Sequence, residues 1–320
     1  MINRLSLTFR GKEMTIRQQE SVDFYIGILP WLIGFVAFTG GPIIFSLVIS
    51  MSDWSGVRFE NTEFVGFANF GAMWSDDLFW ISLTNTFLYS FGAVTLGTIG
   101  ALIAAILMNQ NVPGVTLFRT IYYLPSVTSG VAVAILWIWL LNPSVGLINY
   151  FIQFFVGPEG LIPLGWRGPG WLADPDWALA GLVLKSAWAI GQNMIILLAG
   201  LQGIPQSLYD AAKIDGANLI GEFRNVTLPM LSPVVFFVIV VSIIGTFQVF
   251  IDAFVMTNGG GPGTSTYVYL LHLYKNAFEY LQMGYASALS WVLTLIIGIL
   301  TYLQLVVGRR WVYYEGGEKK

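Results

Sequence analysis

The sequence has 320 residues, of which 56% are hydrophobic and only 10% are charged, with a formal net charge of −3 and a mean hydropathy of +0.70. Because soluble domains carry roughly a quarter charged residues, this composition excludes an ordinary soluble protein and predicts a polytopic membrane protein. The absence of cysteine excludes a disulfide framework, a thiol nucleophile and a cysteine-based metal site, and the single histidine, His272, is too few for a histidine-rich one. The nearly neutral charge gives no indication of nucleic-acid binding.

Six apolar segments follow one another along the chain, each long enough to cross a bilayer, which takes roughly 20 residues of helix. They lie at about 24–51, 79–109, 120–141, 177–203, 231–251 and 284–307. Lipid offers no hydrogen-bond partners to the backbone, so each segment is predicted to be helical. The predicted fold class is therefore all-α and polytopic, with a domain of six transmembrane helices at 24–308 between cytoplasmic tails at 1–23 and 309–320.

The basic residues predict the orientation of these helices. With the N-terminus in the cytoplasm, 11 of the 15 Lys and Arg residues lie on the cytoplasmic side. Only Arg58, Arg167 and Lys275 fall in outer loops, and Lys185 falls inside the fourth span. Because cytoplasmic loops are enriched in positive charge, and six crossings return the chain to the side where it began, we expect both termini inside.

Two features within the spans suggest packing. In the second span, Ala93, Gly97, Ala101 and Ala105 recur four residues apart and form a smooth stripe that another helix can approach closely. In the fourth span, Lys185 has two interpretations. In the first, Lys185 has a structural role: it pairs with a carboxylate of a neighbouring helix or subunit, or extends its ammonium towards the membrane surface. In the second, it faces the translocation cavity and holds an acidic or phosphorylated sugar.

The polar connection at 204–230, between the fourth and fifth spans, is predicted to be cytoplasmic. Pro205 and Ser207 can begin a helix, with Ser207 and Asp210 as a loose capping box, and Gly216 can end it. A short helix held out of the bilayer between two spans is suited to docking against another protein.

This connection resembles the EAA loop of ATP-binding-cassette (ABC) importer permeases. Asp210 stands where Glu is usual in the family, which keeps the charge and shortens its reach. The matching residues are Tyr209-Asp210-Ala211-Ala212-Lys213-Ile214-Asp215-Gly216-Ala217, then Phe223, Thr227, Leu228 and Pro229. Further matches are similar to the carbohydrate-type branch: Phe118-Arg119-Thr120, Leu124-Pro125, Asn149, Ala199-Gly200-Leu201-Gln202, Phe247-Gln248 and Gly284-Tyr285-Ala286-Ser287-Ala288.

The resemblance implies the type I ABC importer fold and a permease subunit of a binding-protein-dependent importer for a sugar, oligosaccharide or related polyol. The resemblance implies that this chain has no catalytic residue, metal or cofactor, and that ATP and Mg are bound by partner ATPase subunits. In agreement with this, the sequence has no G-x-x-x-x-G-K-[ST] phosphate loop. The implied partners are a second homologous permease, a dimer of ATP-binding subunits, an extracytoplasmic solute-binding protein, a carbohydrate substrate and membrane lipid, in a bacterial or archaeal cytoplasmic membrane. The residues implied to couple to the ATPase are Asp210, Ala211, Ala212, Asp215, Gly216 and Ala217.

A substrate pathway is predicted near the middle of the membrane, on the fourth and fifth helices. Sugars are bound by amides and hydroxyls, with aromatic faces under the ring, and such polar groups are costly to expose to lipid. The candidates are Trp188, Gln192 and Asn193 on the fourth helix and Ser242 and Thr246 on the fifth. The family's maltose permeases place sugar contacts in the same two segments. A simple packing role between helices stays open for each residue.

Two other classes of protein fit less well. An ion-coupled secondary transporter commonly has carboxylates in the middle of its spans or inverted repeats; the sequence shows no repeat, and Asp252 lies near the outer end of the fifth span. An integral-membrane enzyme needs His, Asp or Glu clustered on one face, which the spans lack. The sequence therefore favours an importer permease, with the ion-coupled transporter as the alternative.

Overall fold

The computed structural model describes residues 8–9, 12–13, 15–58, 60, 62–110 and 112–313. Helices dominate these ranges, and two short strands, β1 (Thr8–Phe9) and β2 (Lys12–Glu13), pair antiparallel before the first helix. The remaining residues of the two predicted tails, at 1–7, 10, 11, 14 and 314–320, lie outside the described residues. The helices in chain order are α1 (Ile16–Phe35), α2 (Gly41–Ser50), α3 (Ala68–Ala72), α4 (Asp77–Met108), α5 (Val115–Val127), α6 (Gly130–Leu140), α7 (Leu147–Val156), α8 (Pro175–Ser186), α9 (Gly191–Gln202), α10 (Gln206–Ile214), α11 (Leu219–Glu222), α12 (Leu228–Thr246), α13 (Tyr269–Tyr274) and α14 (Met283–Gly308).

Four continuous helices of the described chain are long and apolar enough to cross a membrane, at Ile16–Ser50, Asp77–Met108, Leu219–Thr246 and Met283–Gly308. The first joins α1 to α2 through a π-helical turn, and the third joins α11 to α12 in the same way. Two bent pairs, α5 with α6 and α8 with α9, raise the number of spans to as many as six if each pair counts as one. By length and composition, the protein is therefore a multi-pass membrane protein.

The first long helix begins at Ile16, whereas the apolar segment that predicts it begins near residue 24. Just before the helix, the N–H of Thr15 donates to Oε1 of Gln18 at 3.0 Å, so the polar residues that follow are helical as well. Hydropathy reports which part of a helix faces lipid, whereas side-chain capping determines where the helix starts.

The third apolar segment, at 120–141, does not form the single helix that its hydropathy predicts. Instead α5 and α6 meet at an angle of 102°, and Thr128 between them has an extended backbone. Pro125 lacks the N–H that a continuous helix would use, and the Thr128 hydroxyl donates to the carbonyl oxygen of Leu124 at 2.9 Å. The expectation of one uninterrupted helix is therefore wrong, because proline and the small polar residues after it end the helix midway.

The fourth apolar segment is bent by 46° between α8 and α9. Gly191 begins α9 at this bend, and a Cβ atom there would overlap the backbone carbonyl of Tyr122 on α5. Because glycine has no side chain, the backbones of α5 and α9 come into direct contact. The bend and this contact place α9 between α5 and the core of the bundle.

α4 lies at the centre of the bundle, where it contacts α8, α9, α12 and α13. The predicted stripe of small residues, Ala93, Gly97, Ala101 and Ala105, is buried along its whole length. In lipid there is no hydrophobic driving force between helices, so close approach over small side chains is a main source of packing energy. α4 thus serves as the support against which the elements of the candidate site are placed.

The start of α14 is held against the loop that follows α2. The N–H of Gly284 donates to the carbonyl oxygen of Trp54 at 3.0 Å, and a Cβ atom on Gly284 would overlap the carbonyl oxygen of Ser52. Nearby, Nε2 of the buried His272 on α13 lies 3.2 Å from a carboxylate oxygen of Asp76. These contacts tie the start of α14 to the loop after α2, and α13 to the residue that precedes α4.

Candidate coupling loop and translocation groove

The loop at 204–230 contains the short helix α10, which begins directly after Pro205. The capping box predicted for Ser207 and Asp210 is wrong, since the helix already starts at Gln206 and no side chain caps it. Pro205 is the N-cap and has an extended backbone, and its carbonyl oxygen accepts the first bond of the helix from the N–H of Leu208 at 3.1 Å. Asp210 instead accepts a hydrogen bond from Nε2 of Gln206 at 3.3 Å and stays exposed.

The end of α10 is formed by a left-handed glycine, as the sequence predicts. Gly216 has a φ of +79°. Its N–H donates to the carbonyl of Lys213 at 3.0 Å, and the N–H of Ala217 donates to the carbonyl of Ala212 at 2.9 Å. These two bonds form a Schellman motif, in which the residue after the helix must adopt a conformation that only glycine reaches without strain. The chain therefore reverses sharply at Gly216.

The second half of the loop returns to the bundle as one continuous helix. Asn218 caps α11, because its Oδ1 accepts from the N–H of Gly221 at 2.8 Å, and helical structure then continues from Leu219 to Thr246. The hydroxyls of Tyr209 on α10 and Thr227 at the base of α12 lie 3.1 Å apart and form a hydrogen bond. α10 is thus bonded directly to the helix that follows it.

Five of the six predicted coupling residues line one groove of about 530 Å³ between α10 and the start of α12. They are Ala211, Ala212, Asp215, Gly216 and Ala217. Asp210 does not line it, since its carboxylate bonds to Gln206. The structure adds three residues that sequence reasoning missed: Ile214, Leu219 and Ile220 are 86%, 84% and 75% exposed. Isolated apolar residues in a polar loop are the signal that could have found them.

The predicted pathway residues are only partly brought together. Nδ2 of Asn193 donates to Oγ of Ser242 at 3.1 Å, which links α9 to α12. Thr246 instead bonds to Ser90 of α4, with their hydroxyl oxygens 2.6 Å apart. The other two candidates lie at the bend between α8 and α9, where Trp188 packs edge-on against Trp137 and Gln192 is exposed.

Lys185 forms an ion pair with Asp252, and its Nζ lies 2.7 Å from Oδ1 of the carboxylate. The two side chains are only 12% and 10% exposed. Of the two interpretations of Lys185, the structure therefore shows pairing with a carboxylate of a neighbouring segment. A groove of about 430 Å³ adjoins the pair and is lined by Tyr89, Thr246, Gln248, Phe250 and Asp252, among others. Sequence reasoning assigned neither Ser90 nor Gln248 to the pathway, although Gln248 is among the residues that match the carbohydrate-type branch.

The residues that the structure describes include no group of three or more His, Cys, Asp or Glu side chains that could hold a metal ion. The arrangement consists instead of a bundle of apolar helices, a groove beside a largely buried ion pair, and a hydrogen-bonded loop with an exposed apolar tip. This combination fits a membrane transport subunit. The family described as "Binding-protein-dependent transport system inner membrane component" matches residues 63–313. The chain belongs to this family of ABC transporter permeases, which are non-catalytic subunits.

Curated relatives and solved structures agree with this assignment. The probable ABC transporter permease protein YesP of Bacillus subtilis is 39% identical over 311 residues, which cover 96% of this chain and 97% of YesP. The lactose transport system permease protein LacF of Rhizobium radiobacter is 34% identical, over 92% of this chain and 97% of LacF. A bacterial ABC transporter involved in the import of the acidic polysaccharide alginate superposes with a TM-score of 0.75 at 22% identity, over 91% of this chain and 96% of that one, and so supports the fold. The resemblance predicted from the loop is confirmed.

Proposed function

We propose that this chain is one of two homologous permeases in an ATP-driven importer of a sugar, oligosaccharide or related polyol. It crosses a bacterial or archaeal cytoplasmic membrane six times with both termini inside, and each bent pair forms one span. It supplies half of the translocation pathway. A separate dimer of ATPase subunits binds ATP and Mg, and an extracytoplasmic solute-binding protein delivers the substrate. A structural neighbour supports these partners, since one solved alginate transporter is in complex with a periplasmic protein that holds an alginate pentasaccharide.

The observation that carries this proposal is the tip of the 204–230 loop. Ile214, Leu219 and Ile220 are each at least three-quarters exposed, and they lie in the same loop as the coupling residues, beside their groove. The tip is also firmly held, by the Schellman motif and by the bond between Tyr209 and Thr227. A rigid apolar tip is suited to a pocket on the ATPase, where it can receive the motion that ATP binding produces.

The substrate class is supported by the relatives and by the buried ion pair. Named relatives include permeases of transport systems for lactose, arabinooligosaccharides and starch degradation products, and two others belong to systems for the anionic substrates sulfoquinovosyl glycerol and sn-glycerol-3-phosphate. In this chain, Lys185 is the single charged residue at 177–209, and Asp252 is the single one at 225–274. Because these two charges neutralise each other, the helices that face the groove present no net charge. An uncharged sugar fits this groove better than a sugar acid or phosphate.

Transport by the reconstituted complex tests the proposal. The chain should be purified with its cognate permease, ATPase and binding protein and placed in liposomes that contain ATP. We expect accumulation of a neutral oligosaccharide that requires ATP and is unaffected by a protonophore. Uptake driven by a proton or sodium gradient without ATP would instead establish the ion-coupled alternative.

The role of the loop tip is tested by introducing charge. Leu219→Glu should reduce the amount of ATPase that co-purifies and lower uptake, because a carboxylate would be desolvated in an apolar pocket. Val57→Glu is a matched control, since Val57 is also an exposed apolar residue but lies in the loop between α2 and α3. Normal ATPase recovery with Leu219→Glu would show that the tip does not dock.

A further inference from the structure

α7 is a ten-residue helix with two different faces, in the connection between α6 and α8. One face packs inwards, where Ile148 and Ile152 join the cluster around Trp137 and Leu182. At about 1.5 Å per residue the helix is roughly 15 Å long, which is half the thickness of the hydrocarbon core. α7 is therefore too short to be a span of its own.

The inward face is held by specific hydrogen bonds. The buried Asn149 donates from Nδ2 to the carbonyl of Pro169 at 3.0 Å and accepts at Oδ1 from Nε1 of Trp171 at 2.7 Å. One turn further on, Nε2 of Gln153 donates to the carbonyl of Arg167 at 3.0 Å. These bonds fix the rotation of α7 relative to the segment that leads into α8, so the residues on its other face are held outwards.

The outward face is apolar and aromatic. Tyr150, Phe151, Phe154 and Phe155 are each more than half exposed, and so are Leu161, Ile162 and Leu164 in the loop that follows. Glu159 is the single charged residue at 147–166. An exposed apolar patch of this extent on a rigid helix indicates a surface that is covered by something other than water.

The apolar face of α7 is continuous with the lipid-facing surface of α6, which indicates that lipid covers it. α6 ends at Leu140, seven residues before α7 begins, and its own outward side chains, among them Ile135 and Trp139, are also apolar and more than half exposed. The patch thus adjoins helix surface that lies in the membrane. A soluble protein that docks and leaves in every transport cycle would meet a surface with a polar rim, which the segment at 147–166 lacks apart from Glu159.

We propose that α7 is an interfacial helix that lies on the lipid surface, with Tyr150, Phe151, Phe154 and Phe155 inserted at the boundary between headgroups and acyl chains. Aromatic side chains are favoured at this depth, and helices with one apolar face bind there in the plane of the membrane. In the proposed orientation this is the outer leaflet. The helix then anchors the outer connection between α6 and α8 to lipid while Asn149 anchors it to the protein.

The absence of cysteine makes a direct test possible with single-cysteine variants. Phe154→Cys should be labelled with an environment-sensitive fluorophore in the assembled importer in lipid nanodiscs. Leu295→Cys, on the exposed face of α14, is the control within the membrane, and Val57→Cys is the control in water. Quenching is then measured with iodide and with lipids that carry a nitroxide near the headgroup or deep in the chain.

We expect the label at Phe154 to resist iodide several-fold better than the label at Val57 and to be quenched more by the shallow nitroxide than by the deep one. Quenching by iodide as strong as at Val57 would overturn the proposal. Protection from both iodide and nitroxide lipid would show that the partner permease covers the patch, and protection only after loaded binding protein is added would show a docking site. The result is independent of the substrate, so it can fail while the proposed function stands.

Discussion

Replacement of Gly216 separates the conformation of the coupling loop from its contact with the ATPase. With a φ of +79°, this position costs an ordinary L-residue about 1–2 kcal/mol. A Cβ atom there would meet nothing within 4 Å in this chain, so the cost within the subunit is backbone strain alone. A strain of that size shifts the balance between the capped loop and open alternatives by about 5- to 30-fold.

We therefore expect a graded series. Gly216→Asn should couple nearly normally, because asparagine adopts the left-handed conformation most readily after glycine, Gly216→Ala should be impaired, and Gly216→Val should be the most impaired. The measurements are the ATPase recovered with the permease, ATP hydrolysis stimulated by loaded binding protein, and uptake. Gly203→Ala is the matched control: Gly203 ends α9 with an ordinary φ of −80°, and the nearest atom to an added Cβ is 3.4 Å away.

Two results would refute this reasoning. Normal stimulation and uptake by Gly216→Val would show that the Schellman turn is not needed for coupling. Equal damage by Gly216→Asn and Gly216→Val would show that the ATPase contacts Gly216 too closely for any side chain, so that the interface, not the backbone, sets the requirement.

Three further predictions concern stability in detergent and are measured by thermal unfolding. Lys185→Met or Asp252→Leu alone should lower the free energy of unfolding by about 3–5 kcal/mol, because each leaves a buried charge unpaired, whereas the double variant should be much less destabilised. A stable double variant that fails to import would indicate that Lys185 has a substrate role. Gly284→Ala should cost about 1–3 kcal/mol through overlap with the neighbouring carbonyl oxygen, whereas Gly298→Ala on the same helix, where a Cβ meets nothing, should not destabilise. Burial lowers the pKa of His272 below its usual value, although the neighbouring carboxylate of Asp76 opposes this shift. Stability should therefore fall as the pH drops below about 6.5, because the unfolded chain then binds a proton that the buried His272 resists. His272→Gln should flatten this dependence on pH.

Hydropathy located the apolar segments, because a helix that crosses the lipid must have an apolar surface, but it did not reveal how each segment is folded. It contains no information on the 102° angle between α5 and α6, which depends on Pro125 and on the side-chain bond of Thr128. It also predicts nothing about the early start of α1, which follows a cap at Thr15. Local hydrogen bonding decides both features, and a sequence average over twenty residues cannot resolve it.

The candidate site divides in the same way. The left-handed turn at Gly216 was predictable, because it depends on one residue type at the end of a short helix. The partner of Lys185 was not, since Asp252 is distant in sequence and the pair exists only once α8 meets the segment after α12. The separation of Asn193 and Thr246 likewise depends on tertiary packing, since α12 contacts α9 through Ser242 and α4 through Thr246.

A continuous helix connects the proposed coupling loop to the groove. From Leu219 to Thr246 it has 28 residues, which at about 1.5 Å each span roughly 42 Å, with the apolar tip at one end and the bond between Thr246 and Ser90 at the other. The π-helical turn at Phe223–Thr227 is the irregular point along its length, and the hydroxyl of Tyr209 braces it there. We therefore expect a displacement applied at the tip to reach the lining of the groove without passing through a loop. At the bond between Thr246 and Ser90, such a motion either moves α4 together with α12 or separates the two helices and opens the groove.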